Sequence, residues 1–428
     1  MAAAVPGGPE VSDVASARQP SVRTAQRRTL IVLIGTQAAA GVGVAAGIAV
    51  SNLVAAELSG SDVVGGAAST AMVAGASLAS YLMVRVAARS GRRPELALGY
   101  MLGVLGALGA ALAVTLGSWT ALLVAMVPFG SAIAAGLAAR FAATDLADPR
   151  RVARELAIVL WAVTVGVIVG PNLAEPAQRW AAALGLVPAT GPYLLCAAAF
   201  GLAATGTAIG LRPDPLVLAN QLGSADAHDG RGFAKPPWQA LRAAPTAQLA
   251  VAGIALCHLI MTGVMSLTPI HMNHGGASLQ LVGLVISLHI AAMYALSPLL
   301  GMLADRMGRR QVLAIGAALL VIAGATAGAA GGTDAQQLTV GLIVLGLGWS
   351  AGLVGGSALL VEAVPLTDRP GVQGLSDVAM NAAGALGGVL AGVTVAVWSY
   401  ALLGLAAAAL AALFLLTMLL AARRRVAR

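Results

Sequence analysis

Charge is scarce in this sequence: Asp, Glu, Lys and Arg together account for 10% of its 428 residues. Hydrophobic residues account for 59%, and the mean hydropathy is +0.88. So few polar side chains cannot cover the surface of a water-soluble globule of this length. The composition therefore excludes a soluble protein and predicts one that lies in a lipid bilayer.

Cysteine and lysine are almost absent. Cys196 and Cys257 both fall inside apolar runs, which favours buried thiols over a disulfide or a metal pair. Lys235 is the only lysine, and the phosphate-binding pattern GxxxxGK[ST] does not occur, so ATP hydrolysis is not expected. His271 and His274 have no carboxylate or thiolate neighbour to complete a metal site. We expect no enzyme activity, metal or cofactor, because no catalytic group or ligand set lies at one depth.

Long apolar runs dominate what is present. Each run has the roughly 20 residues that a helix needs to cross about 30 Å of hydrocarbon, and the alternation typical of barrel strands is missing. The predicted fold is an all-α membrane protein with twelve transmembrane helices. Their predicted ranges are 29–52, 63–87, 96–115, 120–143, 154–175, 191–211, 245–270, 280–303, 312–330, 337–360, 374–397 and 400–422.

Basic residues are distributed unevenly between the two sides of this arrangement. With the amino terminus in the cytoplasm, every basic residue except Arg179 lies in a cytoplasmic tail, a cytoplasmic loop or an adjoining helix end. Positively charged loops stay on the cytoplasmic side. The pattern therefore predicts two cytoplasmic termini in a plasma (inner) membrane, which we expect to be bacterial. The net charge of +8 then reflects topology and attraction to the lipid bilayer, and does not indicate nucleic acid.

The two halves of the chain resemble each other at a shift near 217 residues. Parallel repeats of six helices place a binding site at mid-membrane between two pseudo-symmetric bundles, as in transporters. The matches pair Arg89, Gly91, Arg92 and Arg93 with Arg306, Gly308, Arg309 and Arg310, and Gly130, Gly166 and Gly170 with Gly348, Gly384 and Gly388. The expected domains are a disordered cytoplasmic tail (1–28), a six-helix bundle (29–212), a cytoplasmic central loop (213–244), a second six-helix bundle (245–422) and a basic cytoplasmic tail (423–428).

The segment GMLADRMGRR, residues 301–310, resembles the G-x-x-x-D-R-x-G-R-R signature of the major facilitator superfamily through Gly301, Asp305, Arg306, Gly308, Arg309 and Arg310. The first copy has Val84 and Ala88 where the signature has glycine and aspartate. The resemblance covers the whole chain, and implies that this motif joins the two halves on the cytoplasmic side when the transporter opens outward. By pseudo-symmetry, Asp305 is expected to face the start of the fifth helix, near Arg150, Arg151 and Arg154. The alternative is that the arginines only fix the topology.

The fifth predicted helix contains Gly166, Gly170 and Pro171, which resemble the core of the antiporter motif found in proton-driven exporters of this superfamily. Ala157 and Ala174 stand where the longer motif has glycine. Small residues at this spacing also serve helix packing alone. The resemblance to the twelve-helix bacterial drug:proton antiporter group implies a secondary transporter that exports small hydrophobic compounds.

Three ionisable residues inside the predicted helices are candidates for proton coupling, because charge in a membrane is costly and usually functional. They are His289 in the eighth helix, Asp377 in the eleventh and His258 in the seventh. A histidine titrates near neutrality, and burial raises the pKa of an aspartate in general. The alternatives are a histidine that only bonds neighbouring helices, and an Asp377 that pairs with Arg369 or a helix end.

Other polar, aromatic and thioether side chains at mid-depth are candidates for the substrate cavity. Methionine and tryptophan suit varied apolar shapes, although lipid contact or packing is the more common role for each of them. The candidates are Gln37, Trp161, Thr164, Met261, Met265, Trp349 and Asn381. The expected partners are a small-molecule substrate and protons, and the expected state is a monomer. The alternatives are a proton symporter or uniporter for a small metabolite and, from another class, a membrane receptor that does not transport.

Overall fold

Twelve long apolar helices make up almost the whole protein. The computed structural model describes residues 11–223 and 235–426, and no strand occurs among them. Twelve helices in this part of the chain are long and apolar enough to span a membrane, as predicted. They are α1 (Val11–Ser59), α2 (Asp62–Ser90), α3 (Arg92–Thr115), α4 (Trp119–Ala142), α5 (Val152–Ala183), α6 (Gly191–Gly210), α7 (Pro245–His274), α8 in two segments (Leu279–Tyr294 and Ser297–Met307), α9 (Arg309–Ala329), α10 (Ala335–Ala363), α11 (Arg369–Val397) and α12 (Tyr400–Val426).

The first helix begins before its apolar core. Residues 1–28 were expected to form a disordered tail, but α1 is helical from Val11, and residues 1–10 lie outside the described residues. Gln26 fixes the early part of α1, because its Nε2 donates hydrogen bonds to the Ala143 carbonyl oxygen at 2.7 Å and to Glu155 Oε2 at 2.5 Å. These bonds hold α1 against the end of α4 and the start of α5 at residue 26, inside the expected tail.

Two further segments, expected to be a cytoplasmic loop and a cytoplasmic tail, contain helical residues. The central loop, 213–244, contains two short helices, Pro215–Gly223 and Pro237–Ala243, and residues 224–234 lie outside the described residues. The carboxyl-terminal tail was expected to start at residue 423, but α12 continues as a helix to Val426. Neither difference changes the number of membrane crossings.

The buried apolar side chains form two cores, one for each bundle. The first core contains residues of α1 to α6, and the second runs from Ala240 to Met418. The second core also takes in the end of α4 and the start of α5, from Phe141 to Leu160. The two bundles therefore share core residues near one membrane face only, among the residues described. We call this the basic face, because it carries the arginine-rich α2–α3 and α8–α9 junctions.

The eighth membrane span is interrupted at this shared region. Ala295 and Leu296 separate its two helical segments, and Pro298 follows them. Proline has no backbone N–H for the helical hydrogen bond and clashes with the preceding turn, so the helix breaks here. Ser297 lies next to the break, and its hydroxyl donates to the carbonyl oxygen of Ala157 in α5 at 3.0 Å. The break thus lies where α8 meets α5 of the other bundle.

Candidate functional site

At the basic face, Asp305 of α8 caps the start of α5 across the bundle interface. Its two carboxylate oxygens accept hydrogen bonds from the backbone N–H groups of Ala153 at 3.0 Å and Arg154 at 2.9 Å. A helix amino terminus favours a nearby anion by up to about 2 kcal/mol in a partly buried position. The contact predicted from the repeat is present, and backbone amides rather than arginine side chains form it.

Gly301 permits this cap because it lets α8 approach the backbone of α5. A Cβ atom at this position would lie 2.6 Å from the Ala153 carbonyl oxygen and 2.7 Å from the Ala157 Cβ. A larger residue would push the two helices apart and lengthen the bonds to Asp305. Gly308 then ends α8 with φ +110°, a conformation that glycine adopts without strain.

The arginines that follow the two glycine turns form equivalent ion pairs. Arg309 bonds to Glu362 at 2.6 Å, and Arg92 bonds to Asp145 at 2.8 Å. Each arginine also reaches the other bundle: Arg309 donates to the Pro149 carbonyl oxygen at 2.7 Å, and Arg92 donates to Gln373 Oε1 at 2.5 Å.

The surroundings of these two pairs differ. The Arg92 side chain is 2% exposed and bonds in addition to Glu95 at 3.1 Å, whereas Glu362 is 60% exposed. Burial raises the pKa of Asp145, and the neighbouring Arg92 opposes that shift. The first copy of the motif therefore places its arginine in a buried acidic cluster, and the second leaves its pair near the surface.

The remaining residues of the two motifs have separate roles. Arg310 donates to the Met418 carbonyl oxygen at 3.0 Å, within its own bundle, and the backbone N–H of Arg93 donates to Asp214 at 2.7 Å. Gly91, with φ +93°, provides the turn before α3. Arg89 and Arg306 are exposed. These contacts hold the loops in place and do not cross between the bundles.

The departure of the first motif from the signature has a counterpart on the facing helix. Val84 replaces the signature glycine on α2, and it packs directly against Gly374 of α11, where a Cβ atom would collide with it. By the repeat, Gly374 corresponds to Ala157, which faces Gly301. The small residue at this contact therefore lies on α11 instead of α2, and the two helices still approach closely.

Arg140 and Asp377 form a buried ion pair that links the bundles. Arg140 lies in α4 and is 0% exposed; its Nη2 lies 2.5 Å from Oδ1 of Asp377 in α11. Arg140 Nε also donates to Ser357 Oγ in α10 at 3.1 Å, and the guanidinium stacks on Phe141 with 4.2 Å to the ring centroid. Asn381, one turn along α11, donates to the Asp377 backbone carbonyl oxygen at 2.9 Å.

His258 of α7 faces Gly384 of α11, two turns along that helix from Asp377. The indole N–H of Trp349 donates to His258 Nδ1 at 2.9 Å, so Nδ1 carries no proton and the neutral ring holds its proton on Nε2. A Cβ at Gly384 of α11 would lie 2.8 Å from that Nε2, which explains the glycine. Tyr294 meets Trp349 edge to face, with ring centroids 5.6 Å apart. Aromatic and imidazole groups of α7, α8 and α10 therefore converge against α11, about two turns from Asp377.

His289 lies elsewhere. It is 0% exposed, and its Nδ1 lies 2.7 Å from the carbonyl oxygen of Leu342 in α10, within the same bundle. Its Nε2 has no hydrogen-bond partner among the described residues. The structure thus brings Asp377 and His258 to one region and leaves His289 between two packed helices.

The other cavity candidates fall into two groups. Gln37 belongs to the amino-terminal core, where it donates to the Gly136 carbonyl oxygen at 2.9 Å and accepts from the Tyr100 hydroxyl at 2.8 Å. Its hydrogen-bonding capacity is therefore largely used within one bundle. The rest vary in exposure: Trp161 is exposed, Thr164 and Met265 are half-buried, and Met261, Trp349 and Asn381 are buried.

The glycines of the antiporter-type motif pack α5 against α1. A Cβ at Gly166 would collide with Gly41, and one at Gly170 would lie 2.6 Å from the Val42 carbonyl oxygen. Pro171 follows on an exposed side of α5. In the second half, Gly384 and Gly387 make the corresponding contacts with α7, whereas a Cβ at Gly388 would meet nothing within 4 Å. The predicted match of Gly170 with Gly388 is therefore displaced by one residue.

Sequence reasoning missed Arg140, Glu95 and Asp145, which form the buried charged cluster with Arg92 and Asp377. Arg140 falls inside the predicted span 120–143, so a charge within an apolar run was the available signal. It was overlooked because an arginine near the basic end of a helix also satisfies the topology rule.

Comparison with known proteins gives consistent results. Residues 250–428 match the family model described as Major Facilitator Superfamily. The uncharacterized MFS-type transporter YddS of Bacillus subtilis (strain 168) is 37% identical over 395 residues, which cover 91% of this chain and 89% of that protein. The riboflavin transporter RfnT of Brucella anthropi is 31% identical over 253 residues, or 56% of this chain and 57% of that protein. The crystal structure of the MFS transporter FucP in the outward conformation superposes with a TM-score of 0.71 at 15% identity, over 91% of this chain and 98% of that one.

Proposed function

Because this chain belongs to the major facilitator superfamily, it is a membrane transporter, and we propose that it exports small hydrophobic compounds in exchange for protons. The observation that carries the proposal is the Arg140–Asp377 ion pair, since it joins the two bundles through a group that can take up a proton. In this proposal the two bundles rock about a mid-membrane site by alternating access. The basic face is cytoplasmic, the membrane is a bacterial plasma membrane, and the transporter acts as a monomer.

The contacts at the basic face support an outward-open state. All of the inter-bundle hydrogen bonds described above lie at or near this face, and only there do the bundles share core residues among those described. Opening to the cytoplasm then requires these bonds to break together.

Protonation of Asp377 supplies a reason for them to break. The Arg140 guanidinium has Asp377 as its only carboxylate partner among the described residues. Removal of one charge from a buried pair costs up to about 3–5 kcal/mol, because the other charge is left uncompensated. A bias of about 5.5 kcal/mol carries a two-state equilibrium from 1:99 to 99:1. The free-energy change caused by one proton on Asp377 is therefore large enough to help drive the change between the two states.

The residues beside this pair support an apolar substrate. Trp349 and Tyr294 offer aromatic surface, Met261 offers an adaptable thioether, and His258 has one N–H free of protein partners among the described residues. Such a wall suits a flat or irregular apolar compound with one hydrogen-bond acceptor. The packing of Gly166 and Gly170 against α1 is compatible with the antiporter-type motif.

Cellular accumulation tests the proposal. The protein is expressed in a bacterium that lacks its main efflux pumps, and accumulation of ethidium, chloramphenicol and norfloxacin is measured with and without a protonophore. We expect lower accumulation of at least one compound, restored by the protonophore and by Asp377→Asn. Glu175→Gln is the matched control, because Glu175 is 79% exposed in its pair with Arg179. Unchanged accumulation across a wider panel would contradict drug export, and higher accumulation would indicate import.

A second candidate function is uptake of a flat heteroaromatic metabolite by proton symport or uniport. The sequence similarity to the riboflavin transporter RfnT favours it, as does the aromatic group around His258. Riboflavin itself is the probe: the protein is expressed in a riboflavin auxotroph, and growth is measured at limiting riboflavin. Growth that depends on the protein and is lost in Trp349→Ala would support uptake, and absence of growth together with export in the first assay would rule it out.

A further inference from the structure

A small cavity adjoins Asp377 at the bundle interface, between α2, α3, α4 and α11. Its volume is about 10 Å³, close to the space that one water molecule requires. The polar residues that line it are Ser80, Arg92, Glu95, Gln373 and Asp377. Glu95 and Asp377 belong to different bundles, so the cavity connects two carboxyl groups across the interface.

Two side chains that line this cavity have polar atoms without a hydrogen-bond partner among the described residues. These atoms are Ser80 Oγ and Gln373 Nε2, on residues 5% and 2% exposed. A buried polar group without a partner costs about 1–3 kcal/mol. A buried water that makes about three hydrogen bonds usually removes this cost. The space is the size of a water molecule, and four groups around it can hydrogen-bond to one. They are the Gln373 amide N–H, the Ser80 hydroxyl and the carboxyl groups of Glu95 and Asp377.

The charges around the cavity do not balance. Glu95, Asp145 and Asp377 face two guanidinium groups, Arg92 and Arg140, within hydrogen-bonding contact. At longer range, Arg369 and Asp214 act on Asp145 with opposite signs. One carboxyl group is therefore in excess, and a bound proton removes the uncompensated charge.

Protonation of the two carboxyl groups next to the cavity has different consequences for the arginines that bond to them. A proton on Asp377 leaves Arg140 without a carboxylate, whereas a proton on Glu95 leaves Arg92 paired with Asp145 at 2.8 Å. When the basic face closes again after the switch, the proton is therefore more stable on Glu95 than on Asp377. Its transfer between them restores the inter-bundle ion pair.

We propose that the cavity holds a water molecule that relays the coupling proton from Asp377 to Glu95, which makes Glu95 a second proton-carrying residue. Asp377 gives its proton to the water as the water gives one of its own to the Glu95 carboxylate, so the water is regenerated and the negative charge moves to Asp377. Asp377 then pairs again with Arg140, and Glu95 releases its proton toward the basic face past Asp145. This inference rests on the proposed proton coupling at Asp377.

Infrared spectroscopy of protonated carboxyl groups tests the relay without a substrate. The purified protein in phosphatidylethanolamine and phosphatidylglycerol vesicles is titrated, and the Asp377 and Glu95 signals are assigned by their loss in Asp377→Asn and Glu95→Gln. We expect Glu95→Gln to move the midpoint of the Asp377 signal by about one pH unit or more, the size expected of coupled groups. Ser80→Val keeps both carboxyl groups but fills the cavity, and is expected to reproduce at least half of that change.

The outcomes separate the relay from the proposed function. If no Asp377 signal titrates between about pH 4 and pH 9, proton coupling at Asp377 fails, and the relay fails with it. If Asp377 titrates but does not respond to Glu95→Gln, or responds to it and not to Ser80→Val, the water relay alone is overturned. Ser80→Ala removes only the hydroxyl and serves if Ser80→Val does not fold; it should cause a smaller change in the same direction. Glu175→Gln should leave both signals unchanged.

Discussion

Where α8 meets α5, the two bundles are joined through backbone amides; where α3 and α4 meet α11, they are joined through side chains. Asp305 caps backbone amides of α5, next to a glycine that admits close approach. At the equivalent place on α2, Ala88 offers no carboxylate, and the link consists of Arg92 with Gln373 and, deeper in the membrane, Arg140 with Asp377.

The difference shows how a duplicated fold assigns separate tasks to its halves. A carboxylate on backbone amides fixes the position of a helix, whereas a buried network of paired carboxyl groups responds to protons as a unit. In the gate that we propose, the α8–α5 contact is the mechanical element. The contact of α3 and α4 with α11 holds the groups by which we propose that the gate senses protons.

The largest difference in stability between the two contacts is expected when the equivalent arginines, Arg92 and Arg309, are replaced. Arg92→Gln removes the guanidinium that bonds to the buried Glu95 and Asp145, which should destabilise the protein by about 3–5 kcal/mol. Arg309→Gln breaks a pair whose Glu362 is 60% exposed, which should cost at most about 1 kcal/mol. Melting temperatures of the two purified variants measure the contrast. Equal losses of stability would contradict the distinction between a buried and a surface pair.

A valine in place of Gly301 is expected to have the next largest effect. Its side chain would meet the backbone of Ala153 and Arg154, which cannot move aside, so the closed gate should lose about 1–3 kcal/mol. The measurement is maleimide labelling of Ala138→Cys, a buried interface position, in a protein without Cys196 and Cys257. Faster labelling is expected in Gly301→Val, and an unchanged rate would show that close approach at this point is not needed.

The corresponding substitution at the α2–α11 contact is Gly374→Val. Unlike Gly301→Val, it can be compensated by a second substitution. The added side chain would collide with Val84, a side chain and not backbone, so Val84→Gly should restore room for it. We expect faster labelling of the Ala138→Cys reporter in the single variant and a return toward the original rate in the double variant. If the double variant is labelled as fast as the single one, a small residue on α2 cannot replace the one on α11, and this interpretation is wrong.

The smallest effect is expected from Asp305→Asn. Asparagine keeps one oxygen as an acceptor but loses the charge that the α5 amino terminus favours, a change of about 0.3–2 kcal/mol. The same labelling assay should report a modestly more open basic face and little change in melting temperature. Asp334→Asn is a suitable control, because Asp334 lies in the α9–α10 loop and bonds locally to the Gly331 N–H at 3.0 Å. An identical labelling rate in Asp305→Asn and this control would remove the capping role.

The repeat in the sequence was enough to predict part of the site. A shift near 217 residues aligned the two motifs, and the pseudo-symmetry led to the Asp305 contact with α5 that the structure contains. It did not identify Gly387, which makes the contact expected of Gly388, because one residue of displacement rotates a helical position by about 100°.

Residues that depend on helix rotation were harder to predict. Gln37 was a candidate for the cavity, but its amide bonds within the core of one bundle. Arg140 was passed over, although it makes the central inter-bundle ion pair. A hydropathy profile reports how apolar a segment is and not which way each side chain points, so a residue inside a bundle and one that faces a cavity give the same signal.

The sequence by itself determined the membrane class, the twelve helices, the basic face and the twofold repeat, because these depend on segment length, composition and order along the chain. Only the tertiary structure decided which buried charges meet. Arg140 and Asp377 are 237 residues apart in sequence, and neither lies in a motif that refers to the other. Their pairing follows from how α4 and α11 are rotated and packed at the bundle interface, which is set by side-chain fit across several helices at once.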